Sequence, residues 1–259
     1  MTAPAAADLP VTTPERGRQV ALAQRRALIV QLEQLAPGQW DAATECVPWR
    51  VRDIAAHIAG ELVYARNPLA YVPLTASWLL RDRHRSFLDG TNEAALRARA
   101  DWTPMQLLDA LRRDAPRAVP PGWARWIPLP GVAGLPGDAT FGYLADVVLP
   151  RDCWMHRQDI AGATGSVAAK DATDGEVVAQ VVRDLGRHWR GPASVLKLTG
   201  TAGGSWRLGD AASTGSGEEV EVDAVEFLRH VSGRVVDPEL FGGVADPLGA
   251  VLRSARVAF

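Results

Sequence analysis

The chain of 259 residues carries 28 Lys and Arg against 30 Asp and Glu, a net charge of −2 that offers no electrostatic excess for a polyanion and argues against nucleic acid as a partner. At 47% hydrophobic and 22% charged residues it has the apolar material for a core, which excludes a disordered chain, and its length admits one large domain or two smaller ones. Two cysteines, Cys46 and Cys153, far apart and outside any Cys-x-x-Cys, exclude a disulfide framework and point to a reducing compartment, the cytoplasm.

The first residues, Met-Thr-Ala-Pro-Ala-Ala-Ala-Asp, lack the basic and apolar regions of a secretory signal and read as a loose lead-in. No apolar run approaches the ~20 residues of a membrane-spanning helix, so no membrane partner is expected. Thr13-Pro14-Glu15 sets a hydroxyl at an N-cap and a proline at the first helical position, which predicts a helix to about Leu35, stopped by Pro37-Gly38. Val51, Ile54, Ala55, Ile58 and Leu62 recur at helical spacing and predict a second helix over Val51 to Arg66, which carries His57. A third helical region is expected over Ser77 to Ala100, interrupted at Gly90, and Thr103-Pro104 caps a further helix to about Arg113. The stretch Pro116 to Gly137 holds six of the 18 prolines with Trp123 and Trp126, and reads as an irregular, partly buried connection that walls a cleft. Thr140 to about Ala163 turns helical again, with Pro150 either kinking that helix or opening its second part.

After Gly165 the pattern changes. A helix over Asp174 to His188 precedes two strands, Ser194 to Thr199 and Ser205 to Leu208, with Gly203-Gly204 in the turn. A third strand, Glu218 to Val222, leads to Asp223 as N-cap of a short helix ending at Gly233, and Asp246-Pro247 opens a last helical piece. The low-complexity run Gly209 to Gly217 reads as a loop. The fold class is α+β: a helical bundle over residues 1–168, then a small α+β domain over residues 169–259.

Five histidines bound the chemistry. In Asp152-Cys-Trp-Met-His156 a carboxylate and an imidazole stand four apart, neighbours on one helix face at roughly 5–6 Å between Cβ atoms, a spacing that can grip one ion. His57, on a helix with an apolar face inside a bundle, is the candidate third ligand. Asp53, one turn before His57, and Asp159, three residues after His156, stand where carboxylates orient ligand imidazoles. Spacing alone leaves the plainer alternative open, a hydrogen-bonded Asp-His pair and a satisfied core histidine. His84 in a charged run, and His188 and His230 near helix ends, receive no role. Gly-x-Ser-x-Gly, Walker-type, Gly-x-Gly-x-x-Gly and His-Glu-x-x-His patterns are all missing, and Cys46 and Cys153 read as buried small residues.

Thr44-Glu-Cys46-Val-Pro48-Trp49-Arg-Val51-Arg52-Asp53-Ile-Ala-Ala-His57 resembles the opening signature of the mycothiol-dependent maleylpyruvate isomerase-like family, within the DinB-like bundle superfamily. Arg151-Asp152-Cys-Trp154-Met-His156-Arg157-Gln-Asp159-Ile160-Ala-Gly-Ala-Thr164-Gly165 resembles the same family's last-helix signature. Leu196-Lys-Leu198-Thr-Gly200, Gly204-Ser-Trp206, Phe227-Leu228 and Ser232-Gly233-Arg234 look like its small sterol-carrier-like domain, so the resemblance covers nearly the whole chain.

The resemblance implies a DinB-like four-helix bundle holding a divalent metal, usually zinc, through a histidine of the second helix and a Glu-x-x-x-His pair of the last. By motif these are His57, Asp152 and His156. Two departures stand out: aspartate replaces glutamate at Asp152, and Pro150 precedes it. The shorter arm reaches only if the helices sit closer or the proline moves the backbone inward; otherwise metal binding is lost. Family enzymes use mycothiol either as cofactor in cis–trans isomerisation or as the group transferred, the metal lowering the pKa of a bound thiol. Arg234 is the candidate for a substrate carboxylate, and Trp154 and Arg157 either line a cleft or sit as a core tryptophan and a solvated arginine. The expectation is a metal-dependent, thiol-using isomerase or S-transferase acting on a small electrophile, as a monomer or small homo-oligomer. The alternative is a metal-free bundle that binds without catalysis. A lipid carrier would need a large apolar cavity, for which the short C-terminal segment is poorly suited.

Overall fold

Thr13 starts the first long helix as its composition requires: its Oγ1 accepts from the Arg16 N–H at 3.3 Å, and Pro14 occupies the first turn, where a missing N–H costs nothing. The computed structural model describes residues 3–84, 87–129, 135–200, 202–209, 218–234 and 237–259. They group into two units, Thr13–Asp171 and a discontinuous one formed by the residues up to Thr12 with Ala172–Phe259.

In the Thr13–Asp171 unit, helix α1 (Pro14–Glu33) is followed by α2 (Val51–Arg66), α3 (Tyr71–Ser77), a π-turn (Trp78–Asp82), α4 (Phe87–Arg97) and α5 (Pro104–Asp114). The region expected as helical from Ser77 to Ala100 with a break at Gly90 holds the π-turn and α4, and Gly90 lies inside α4. α5 opens on a reciprocal cap, the Thr103 hydroxyl accepting from the Gln106 N–H at 3.3 Å and the Gln106 amide oxygen accepting from the Thr103 N–H at 2.7 Å. In the proline-rich connection the two tryptophans face solvent, Trp123 60% and Trp126 81% exposed, while the small Ala118 and Ala124 are buried.

One helical turn α6 (Phe141–Tyr143) and a π-turn (Leu144–Val148) lead into α7 (Leu149–Thr164), which Gly165 ends at φ 66°. Pro150 therefore opens a helix and does not kink one, since it sits in the first turn of α7. Helices α1, α2, α5 and α7 pack around Leu28, Leu32, Ile54, Ile58, Leu62, Leu107, Leu111 and Ile160. A polar layer crosses this core. Buried Arg157 donates to the Gln24 amide oxygen and to the Ala169 carbonyl, while Gln31 Nε2 donates to the Arg157 carbonyl at 3.0 Å. Such a layer is tolerated only because its members bond one another.

The other unit contains α8 (Asp174–Arg187), β1 (Ser194–Thr199), β2 (Gly204–Leu208), β3 (Glu218–Asp223), α9 (Ala224–Val231) and α10 (Leu248–Ser254). The sheet order is β2-β1-β3, with β1 antiparallel to β2 (Leu196 opposite Trp206) and parallel to β3 (Leu196 opposite Val220). Alternation puts Leu196, Leu198, Trp206, Leu208, Val220 and Val222 on the buried face. Asp223 caps α9 through Oδ1, which accepts from the Val225 N–H at 2.8 Å. Beyond Gly209, the run expected as a loop lies outside the described residues.

The first residues are not loose. Ala6–Asp8 form a 3-10 turn with Ala6 fully buried, the Arg207 N–H donates to the Pro4 carbonyl at 2.8 Å, and Arg183 Nε donates to the Leu9 carbonyl at 2.9 Å. Gly186 permits this approach, because a Cβ there would stand 2.6 Å from the Ala6 Cβ. The boundary expected near residue 168 falls between Asp171 and Ala172. Among the described residues no helix is long and apolar enough to cross a membrane.

Candidate metal centre

Helix α2 carries His57 and, one turn on, Glu61; α7 carries Asp152, His156 and Asp159. The packing of α2 on α7 brings His57 Nε2 to 3.2 Å from Asp152 Oδ2, and His156 Nε2 stands 3.4 Å from the same oxygen. One ligand atom from each of the three lies within 4.8 Å of the others, and all three residues are buried. Ligand atoms about 2.0–2.1 Å from a tetrahedral ion stand about 3.3–3.4 Å apart, and both carboxylate–imidazole separations match that spacing.

The imidazoles are held from behind. His156 Nδ1 is 2.8 Å from Asp159 Oδ2, which fixes the ring and leaves Nε2 turned to Asp152. The indole of Trp49 lies over the pair, its centroid 4.8 Å from that of His57 and 5.8 Å from that of His156. A turn fixes the indole: the Thr44 N–H and hydroxyl donate to the Trp49 carbonyl at 3.0 and 2.8 Å, and the Trp49 N–H donates to the Cys46 carbonyl at 2.8 Å.

The electrostatics are those of a buried acid-base cluster. Glu61 Oε1 is 3.4 Å from His57 Nε2. Burial, together with the neighbouring Asp152, pushes the Glu61 carboxyl up to about 8, against the pull of His57 and Arg25. His57 is shifted upward overall: burial presses it down, but Glu61 and Asp152 outweigh that and favour the imidazolium. A cation bound among these groups would favour the ionised carboxylates and compete with the proton on His57.

The other expected residues are placed as follows. Asp53 Oδ2 accepts from the Arg50 N–H at 2.8 Å and closes the N-terminus of α2, whereas Asp159 stands against His156. Arg234 belongs to the Ala172–Phe259 unit and donates to the Ser232 hydroxyl at 3.0 Å. Trp154 and Arg157 are fully buried in the bundle, so Arg157 is not a solvated arginine. Cys153 is buried and its thiol pushed up to about 12 by that burial, which leaves no thiolate at neutral pH. Cys46 is only half-buried, a departure from the expectation of two buried cysteines. Glu61 and Trp49 were not anticipated. Glu61 repeats on α2 the four-residue spacing of Asp152 and His156, a readable signal, while the placing of Trp49 depends on a turn that no periodicity reveals.

A bundle whose facing helices gather imidazole, carboxylate and imidazole defines the class of helical proteins that build a ligand site in their core. A family model described as the mycothiol maleylpyruvate isomerase N-terminal domain matches residues 21–161, and the chain belongs to that family, which is one of enzymes. Among solved structures, a histidine-to-alanine mutant of the mycothiol-dependent maleylpyruvate isomerase is similar at TM-score 0.56 and 16% identity, covering 91% of this chain and 93% of that one. A second structure of the mycothiol-dependent maleylpyruvate isomerase is similar at TM-score 0.48 and 18% identity, over 92% of this chain and 94% of that one. The first likeness shows a shared fold, helices first and a small sheet after. No curated protein matches the chain.

Proposed function

We propose that the protein is a divalent-metal-dependent enzyme that uses a low-molecular-weight thiol of the mycothiol kind to isomerise a small electrophilic alkene. His57, Asp152 and His156 hold the ion, for which zinc suits the donor set. The observation that carries this reading is the pair of 3.2 and 3.4 Å separations from one Asp152 oxygen to two imidazole nitrogens. When bound, an ion with an open position lowers the pKa of a coordinated thiol, so that thiolate is present at neutral pH. Asp159 keeps His156 in the tautomer whose Nε2 lone pair is free to coordinate. Trp49 shields the imidazoles from water. The thiolate adds to one alkene carbon, the remaining single bond rotates, and expulsion of the same thiolate restores the double bond in the other geometry with no net change in atoms or electrons. The shorter Asp152 arm serves because its oxygen already stands between the two rings.

Elemental analysis of the dialysed full chain tests this. About one equivalent of zinc in the wild type, lost in His57→Ala and in His156→Ala, together with thiol-dependent turnover of maleylpyruvate when mycothiol is added, is the expected result. No more metal in the wild type than in the two variants would sink the reading and leave a metal-free binding bundle in its place.

A further inference from the structure

The chemistry above leaves Cys46 unused. Its Sγ, a ring nitrogen of His156 and a carboxylate oxygen of Asp159 all lie within 4.8 Å of one another. We propose that Cys46, His156 and Asp159 form a second ligand set, specific for a thiophilic divalent ion and alternative to His57, Asp152 and His156. The proposal shares His156 with the first reading but does not depend on thiol catalysis.

Thiolate, imidazole and carboxylate are the three donor types that zinc-class ions take from proteins, and the thiolate selects the softer members of the series. The position of the sulfur is set by its turn. The Cys46 N–H donates to the Thr44 hydroxyl at 3.2 Å and the Cys46 carbonyl accepts from the Trp49 N–H at 2.8 Å, so the backbone on both sides is bonded. Asp159 is already 2.8 Å from His156 Nδ1, the nitrogen opposite the one turned to Asp152. An ion bound at about 2.3 Å to sulfur and about 2.0–2.1 Å to nitrogen and oxygen needs donor separations of about 3.5 Å, and the three donors lie within 4.8 Å of one another.

The two sets compete because they draw on one ring. A neutral imidazole has a single free lone pair, which His156 presents either through Nε2, turned to Asp152, or through Nδ1, turned to Asp159. Occupation of the thiolate set therefore withdraws His156 from the first set. A thiophilic ion in excess is expected to hold the protein in a form that cannot activate a thiol, and the identity of the ion decides which set is filled.

The test is a titration of the metal-free full chain with Co²⁺ alone, followed by optical absorption, in which a near-ultraviolet thiolate-to-cobalt charge-transfer band arises only when sulfur coordinates. The band is expected in the wild type, in His57→Ala and in Cys153→Ser, and lost in Cys46→Ser and His156→Ala. As a second readout on the unmodified protein, Cd²⁺, a softer ion than Zn²⁺, should slow alkylation of Cys46, mapped by peptide mass, at least tenfold in the wild type and not in Asp159→Asn. Cobalt bound without the band, or a band that survives in Cys46→Ser, overturns the proposal while leaving the first set standing. A band unaffected by His57→Ala and Asp152→Asn supports the thiolate set and leaves the first to its own zinc test. No cobalt in the wild type overturns both.

Discussion

At Asp152 a missing methylene is offset by where the side chain starts. The residue lies in the first turn of α7 and is 8% exposed, and from there one oxygen spans both imidazoles at 3.2 and 3.4 Å. Asp159 acts on the same ring from the other side, and Asp159→Asn is expected to weaken zinc binding 10–100-fold with little change in fold, measured by competition with a chromogenic chelator. Unchanged affinity would remove Asp159 from the role given to it here. The Asp152–His156 pair was legible because a helix converts a spacing of four into adjacency. Cys46 and Trp49 were not, because a short turn with its own hydrogen bonds sets where they point, and neither period of regular structure applies to it.

The capping threonine and following proline of α1 and α5 were readable from the sequence alone, the apolar periodicity of α2 gave its start at Val51, and α8 begins at the expected Asp174. The π-turns at Trp78–Asp82 and Leu144–Val148 were not, since they depend on what packs against them and leave no periodic mark. Gly17 in α1 illustrates the same limit. A glycine inside a helix normally costs ~1 kcal/mol relative to alanine, but here a Cβ would stand 2.5 Å from the Asp146 Cβ in the second π-turn. Asp146 is in turn paired with Arg125, so it has little freedom to withdraw. Gly17→Ala is accordingly expected to destabilise the bundle by ~1–3 kcal/mol in urea denaturation, despite the better helix propensity of alanine. A more stable variant would show that the turn yields easily.

For the molecule as a whole, His230 is a group through which acid weakens the fold. Burial holds its imidazole below the ordinary histidine range, and its Nε2 lies 2.9 Å from the Leu252 carbonyl, joining α9 to α10. A group with a lowered folded-state pKa binds protons more readily when unfolded. Its contribution is therefore complete above about pH 6.5 and is lost as pH falls from there towards the folded value. Glu61, raised to about 8, acts in the opposite direction over the same range, so the expectation is a difference: between about pH 7.5 and about pH 5.5 the denaturation midpoint of the wild type should fall relative to that of His230→Gln, which cannot take up a proton. An identical pH slope in the variant would assign the acid response to other groups.

The change of character after Gly165 gave the second unit away, but its inclusion of the first dozen residues was hidden, because Ala6 and its partner Gly186 are small residues with no pattern linking them. That discontinuity has a consequence in time. The Ala3 carbonyl accepts from Arg207 Nε across 204 residues of chain. A ribosome adding roughly 5–20 residues per second leaves the leading segment without its partner for about ten to forty seconds. Every residue of the Thr13–Asp171 unit has been made before that wait ends. Ala3 and Leu9 thus take partners that are made long after them.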